Sequence, residues 1–173
     1  MIQRFLLVNL LALAFAIGGF GQQMNTDLQK GEMKKVDSMV GQWNGAGWMQ
    51  QGSTRSTFTG TETVQRKLGG LALLIEGNFK NPEGRVIHET LALLSFDANA
   101  SKYRFQTHLA TGASGDYDFR TRENGFEWGF QTPSGTIRYT ISTIRDVWLE
   151  IGEFSRDGKS WIKFFEMKLE RAK

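Results

Sequence analysis

The sequence predicts an all-β protein: a single up-and-down antiparallel β-barrel of about ten strands with a short N-terminal helix. From Trp43 onward, short segments of strand-like composition alternate with turn signals such as Asn-Gly and Asp-Gly. No helical stretch long enough to cover a sheet separates them. A meander without crossover helices must close or stack to hide its edges. We therefore expect a closed barrel, and a barrel of this size usually surrounds a cavity.

The first residues have the layout of a secretory signal peptide. Arg4 precedes an apolar run from Phe5 to Ile17, and small residues follow up to Gly21. The run is shorter than the roughly 20 apolar residues that span a bilayer. We expect residues 1–21 to be removed, with cleavage after Ala16 or an uncleaved anchor as alternatives. The predicted location is the periplasm or the exterior of the cell, without stable membrane insertion.

Composition narrows the classes of function. The chain has 173 residues, a net charge of +3 and no cysteine. A protein without cysteine is stabilised by its hydrophobic core and not by disulfides. It also has no thiolate nucleophile, no cysteine-based zinc site and no cysteine for a lipid anchor. Because its basic residues form no stripe or patch, we expect no nucleic-acid partner.

A short amphipathic segment precedes the strands. Residues 22–32 are polar and are predicted to be flexible. Four apolar residues then recur at helical spacing, namely Met33, Val36, Met39 and Val40. With Gly41 as a C-cap, one or two helical turns against the barrel rim are expected, and a plain lead-in segment is the alternative. The barrel domain is predicted to span residues 33–173.

Ten segments carry strand signals between turn residues. They are Gln42–Met49, Thr54–Arg66, Leu71–Lys80, Val86–Phe96, Lys102–Leu109, Tyr117–Arg122, Phe126–Gln131, Thr136–Thr143, Val147–Ser155 and Ser160–Leu169. In the second segment threonines alternate with Phe58, Gly60, Glu62 and Val64, which indicates one wet face. Asn124-Gly125 is the strongest hairpin signal in the chain.

Four segments carry a family resemblance. They are GQWNGAGWM (41–49), LGGLALLIEGNF (68–79), FDANASKY (96–103) and SRDGKSWIKFFEMKLER (155–171). The first resembles the G-x-W-x-G-x-G opening of calycin-type barrels, the group that holds lipocalins, fatty-acid-binding proteins and nitrobindin-like proteins. Together the four are similar to a bacterial exported family of unknown function in that group. The resemblance implies a barrel with an internal pocket, and Trp43 suits its floor.

Two departures from the group limit what the pocket holds. Nitrobindin-like proteins bind haem through a histidine late in the chain, whereas this sequence has none after His108. Fatty-acid-binding proteins grip a carboxylate with an Arg-x-Tyr pair in the last strand, and Trp161 to Glu166 contains no such pair. We therefore expect no resident cofactor and no fatty-acid clamp. The spacing of His88 and His108 also predicts no metal site.

The predicted partner is a small hydrophobic or amphipathic molecule. The aromatic residues that recur on alternate strand positions are Tyr103, Phe105, Tyr117, Phe119, Phe126, Trp128, Phe130, Tyr139 and Trp161. The candidate ligand-binding residues are Phe79, His88, Glu89, Phe105, Phe119, Trp128, Phe130 and Tyr139, with Arg138 as a further group that could orient a polar end. The rings could instead fill the barrel completely, which would favour an envelope interaction protein. The residues leave the oligomeric state open.

His88 and Glu89 are neighbours, so only one of them faces the interior. If the turn at 81–84 has a two-residue loop, His88 joins the face of Gly77 and Phe79. If the loop has three residues, Glu89 joins that face instead, because a one-residue slip exchanges the two faces of a strand.

An enzyme is the alternative function. Glu62 shares the apolar face of its strand, where a carboxylate is costly unless it is paired or protonated. With Tyr139 or Arg138 it could form an acid–base set, as in calycin-like barrels that perform cyclisation or decarboxylation. If the strand is irregular near Gly60, Glu62 is exposed and has no such role.

Overall fold

The structure, a computed structural model, describes residues 25–173, so the predicted signal peptide (residues 1–21) lies outside the described residues. Ten strands form one closed antiparallel barrel in which sequential strands are neighbours and the first pairs with the last. They are β1 (Gly41–Gln51), β2 (Thr54–Lys67), β3 (Ala72–Lys80), β4 (Val86–Asp97), β5 (Lys102–Leu109), β6 (Ser114–Arg122), β7 (Gly125–Thr132), β8 (Gly135–Ile144), β9 (Val147–Ser155) and β10 (Ile162–Arg171). The predicted fold class is confirmed.

A helical segment covers one end of the barrel. Residues 25–34 form helix α1, and Asp37–Met39 form a 3-10 turn before β1. The helix starts earlier than the one or two turns expected from the apolar spacing. The polar first turns of the helix contact the barrel: Gln29 Nε2 donates a hydrogen bond to the Leu71 carbonyl at 3.4 Å. No helix within residues 25–173 is long and apolar enough to cross a bilayer.

The predicted apolar face of this segment packs on the barrel. Met33, Val36 and Met39 are buried in the core. Gly41 does not cap a helix as expected; it opens β1 with a φ of +142°, which lets the chain turn from the 3-10 turn into the strand.

Large side chains fill the end of the barrel beneath the helix, which we call the closed end. Trp43 is buried there and donates its indole N–H to the Met39 carbonyl at 2.8 Å. Its ring meets that of Trp148 edge-on at 5.6 Å between centroids. The Arg171 guanidinium lies 4.0 Å over the Trp43 ring and donates to the Val40 carbonyl. Trp43 therefore forms the floor that the sequence predicted.

The opposite end, which we call the mouth, is formed by the turns that follow the odd-numbered strands. Inward-facing side chains become more exposed towards it. Along β7, Phe126 is buried, whereas Trp128 and Phe130 are half-buried. Along β8, Ile141 is buried and Tyr139 is half-buried. Solvent therefore reaches the inner face of the sheet at the mouth.

The β3–β4 connection decides which of His88 and Glu89 faces the interior. Residues 81–85 connect the strands, and a register irregularity follows Phe79. Both predicted loop lengths are therefore wrong. Phe79 pairs with His88, so His88 is on the inner side and Glu89 on the outer side. His88 still faces the interior, as expected for the two-residue loop. The observed pairing of β3 with β4 is shifted by two residues from the pairing that this loop would give, and a shift of two residues leaves every side chain on the same face.

Candidate functional site

Five inward-facing aromatic rings line the mouth and are half-buried: Tyr117, Trp128, Phe130, Tyr139 and Phe165. We call these five residues the mouth wall. The rings of Trp128 and Tyr139 stack with centroids 4.2 Å apart and an interplanar angle of 6°. Tyr117 meets Phe130 at 5.1 Å, and Tyr139 meets Phe165 at 5.6 Å. Connected rings of this kind offer a flat apolar surface to a ligand.

Three other predicted ligand-binding rings lie deeper. Phe79 and Phe105 are buried, and Phe105 contacts Trp128 at 5.4 Å from below the mouth wall. Phe119 is also buried and stacks on Phe126 at 5.8 Å. It therefore belongs to the core beneath the mouth wall, because the tilt of the strands puts residues of the same face at different depths.

Glu62 is a buried carboxyl inside the barrel. It lies on β2, opposite Trp43 of β1 and Gly77 of β3, and is 7% exposed. The alternation of β2 is regular here, so the irregular strand considered above does not occur. Its Oε2 atom has no hydrogen-bond partner. Burial, and to a lesser extent the charge of Glu150, raises the pKa of Glu62 to about 8, which favours the protonated form at neutral pH.

Glu150 on β9 is a second interior carboxyl, and sequence reasoning missed it. It accepts hydrogen bonds from Trp128 Nε1 at 3.0 Å and from Trp148 Nε1 at 3.3 Å. Burial raises its pKa to about 7, and the two indole hydrogen bonds oppose that rise. The alternation of Trp148, Glu150 and Gly152 carried the signal, because it places the carboxylate on the same face as the tryptophan.

Tyr139 and Arg138 point to opposite sides of β8. Tyr139 faces the interior, and burial together with the charge of Glu150 raises the pKa of its phenol. Arg138 faces outward, where it bonds to Glu153 at 2.7 Å and lies 3.7 Å over the Trp161 ring. The predictions that Arg138 orients a ligand and that Trp161 joins the inner aromatic set are therefore wrong. Successive residues of a strand alternate between faces, so an inward Tyr139 requires an outward Arg138.

His88 and Glu89 lie at the edge of the site and outside it, respectively. His88 is exposed at the rim of the mouth with its ring 5.5 Å from that of Phe79, and partial desolvation lowers its pKa. Glu89 lies opposite Asn78 and lines a hollow of about 560 Å³ on the outer surface, together with His108. Glu89 is therefore not a contact of the barrel interior, contrary to its place among the candidates.

Comparison with known proteins adds information about the fold. No protein-family model and no curated protein matches the chain. Among solved structures, the crystal structure of Rv2717c from M. tuberculosis is similar, with a TM-score of 0.60 and 10% sequence identity. The match covers 82% of this chain and 97% of that chain. The architecture fits a calycin-like barrel. At this identity the likeness shows the fold alone.

Proposed function

We propose that the protein binds a small hydrophobic or amphipathic molecule in the mouth of its barrel. The mouth wall carries this proposal, because its five rings face inward and yet stay half-buried. Their counterparts at the closed end, Trp43 and Trp148, are fully covered. A flat molecule on the Trp128–Tyr139 stack would remove apolar surface from water, which contributes about 25 cal/mol per Å². The resemblance to calycin-type barrels, which implies an internal pocket, also supports a ligand inside this barrel.

The proposed setting is outside the cytoplasm. We infer export from the signal-peptide layout of residues 1–21. A mouth that opens to the periplasm or the medium would meet lipophilic molecules that dissolve poorly in water. The binding module would then shield such a molecule from solvent.

A neutral lipophilic fluorophore, N-phenyl-1-naphthylamine, tests the proposal. Titration into the purified protein should give saturable one-to-one enhancement of probe emission. Trp128→Leu should weaken binding about tenfold, because the probe loses the indole ring on which it stacks and the apolar area that this contact buries. Trp161→Leu is the matched control and should leave the affinity unchanged, since Trp161 packs outside the barrel under Arg138. Absence of saturable binding to the wild type, or equal losses in both variants, would contradict the proposal.

A second function, acid–base catalysis on the bound molecule, is favoured by the two interior carboxyls. Burial raises the pKa of Glu62 to about 8 and that of Glu150 to about 7, values suited to proton transfer near neutral pH. The test is incubation of the protein with a small-molecule extract followed by mass spectrometry. A product formed by the wild type and lost in Glu62→Gln supports catalysis, whereas no protein-dependent mass change argues for binding alone.

A further inference from the structure

The middle of the barrel interior carries acidic groups without a matching cation. Glu62 and Glu150 are both buried there. Two arginines, Arg66 and Arg171, also occupy inward strand positions. Both lie at the closed end, where they already pair with carboxylates near the helical segment and the β8–β9 turn. Burial and the neighbouring negative charge both raise the pKa of Glu62, and no positive group among the described residues opposes them.

The two carboxyls differ in how their oxygens are satisfied. Glu150 uses one oxygen for each of two indole N–H groups. Glu62 Oε2 is buried without a partner. Buried polar atoms in folded proteins are nearly always hydrogen-bonded, so this atom calls for a partner other than residues 25–173.

Glycine lets β3 pack closely beside the Glu62 carboxyl. A Cβ atom at Gly77, directly across from it on β3, would lie 2.9 Å from Glu62 Oε1. The ring of Phe79 lies over Gly77 and Gly60, between the Glu62 region and the rim of the mouth. Apolar surface therefore borders the carboxyl on its β3 side.

We propose that the ligand carries a protonated amine on a flat apolar body, and that the amine bonds to the Glu62 carboxylate while the body stacks on the mouth wall. This inference rests on the proposed function and specifies its ligand class. An anionic ligand would meet two carboxyls and no free cation in the interior. An ammonium group instead satisfies Oε2 and gains from the nearby charge of Glu150.

This ligand class couples binding to proton release. The ammonium group needs ionised Glu62, so below pH 8 complex formation displaces a proton from the carboxyl and the affinity rises with pH. Ionisation of Glu150 on β9 acts in the same direction. At low pH the protonated His88 ring at the rim repels a cationic ligand, so this residue also favours binding at higher pH. Tyr139 of β8 stays neutral in this range, because burial raises the pKa of its phenol. On the other strands of the described barrel, the inward positions present no further carboxyl, lysine or histidine.

Three probes with one ring system test the inference by isothermal titration calorimetry: 2-(aminomethyl)naphthalene, 2-naphthalenemethanol and 2-naphthoic acid. At pH 8 the amine should bind about tenfold or more tightly than the alcohol and the acid. Glu62→Gln should reduce this preference to within about threefold. Glu89→Gln is the matched control on the outer face and should keep the full preference.

The outcomes separate the two proposals. If the alcohol binds and the amine binds no more tightly than the alcohol, the amine inference is wrong and the binding function stands. The same holds if Glu62→Gln keeps the preference for the amine. If none of the three probes binds, both are wrong. Should Glu62→Gln fail to fold, the wild type decides, because the amine affinity should rise from pH 6 to pH 8 with net proton release in buffers of different ionisation enthalpy. A flat or falling profile would overturn the inference.

Discussion

Aromatic pairs occur at both ends of the barrel, in contrasting surroundings. At the closed end Trp43 and Trp148 meet edge-on beneath the helical segment and are almost completely buried. At the mouth Trp128 and Tyr139 stack face to face, and solvent reaches both of them. The helical segment accounts for the difference, because it covers one end and no described element covers the other. The same residue types thus stabilise the fold at one end and leave aromatic surface open to solvent at the other.

The largest expected effect tests this contrast directly. Trp43→Ala should lower the free energy of unfolding by about 3–5 kcal/mol, because it opens a cavity beneath the helical segment. Phe130→Ala at the mouth should cost about 1–2 kcal/mol, since that ring is already partly solvated. Urea unfolding followed by far-UV circular dichroism measures both. Equal losses at the two ends would break the comparison.

The next effect concerns pH and the interior between the two ends. Folded Glu62 keeps its proton up to about pH 8, whereas the unfolded chain releases it near the ordinary pKa of 4.5. The unfolded state therefore binds fewer protons in this window, and stability falls as pH rises from 4.5 to 8. For Glu62 the fall should be roughly 2–5 kcal/mol.

Glu62→Gln should flatten that pH dependence, as measured by urea unfolding at pH 5 and pH 8. A residual slope of the same sign is expected from Glu150, whose pKa is raised to about 7. Trp161→Leu is the control, because Trp161 packs outside the barrel under Arg138 and its small loss of stability should be the same at both pH values. A wild-type stability that rises from pH 5 to pH 8 would contradict the burial of a protonated Glu62.

Two glycines that lie opposite each other on β1 and β2 allow a local comparison at smaller magnitude. Gly45→Ala should cost about 1–3 kcal/mol, because its Cβ atom would collide with the Lys168 carbonyl oxygen and crowd the Leu169 backbone. Gly60→Ala should cost less, since the atoms nearest to its Cβ atom belong to the Phe79 side chain and not to the backbone. Thermal unfolding of both variants measures the difference. A costlier Gly60→Ala would show that the Phe79 side chain yields less than the β10 backbone.

The smallest effect is expected outside the barrel. Trp161→Leu removes a stacking partner of the Arg138 guanidinium and should cost about 0.5–1 kcal/mol, as for an exposed cation–π contact. Thermal unfolding measures this change. A loss comparable to that of Trp43→Ala would mean that the outer face contributes as much stability as the closed end.

Most strand positions could be predicted because the signals are local. Period-two alternation and the turn residues gave the bounds of β5 and β9, Lys102–Leu109 and Val147–Ser155, as the structure has them. The helix was placed less well. Its polar first turns are stabilised by contacts such as that of Gln29 with the barrel, which no local pattern contains.

The site could be predicted only in part. Alternation indicated that Glu62 faces inward, and the same argument applied to β9 would have found Glu150. The face of His88 depended on the connection at 81–85 and the irregularity next to it, which turn residues alone do not determine. Alternation also gives a face and not a depth. Phe119 therefore looked equivalent to Trp128 in the sequence, although it lies in the core.

The pairing of β1 with β10 brings both ends of the described chain to the helical side, where the Ala172 backbone N–H donates to the Gln42 carbonyl at 2.8 Å. A tag on Lys173 would thus hold the molecule on a sensor chip with the mouth of the barrel directed into the flow.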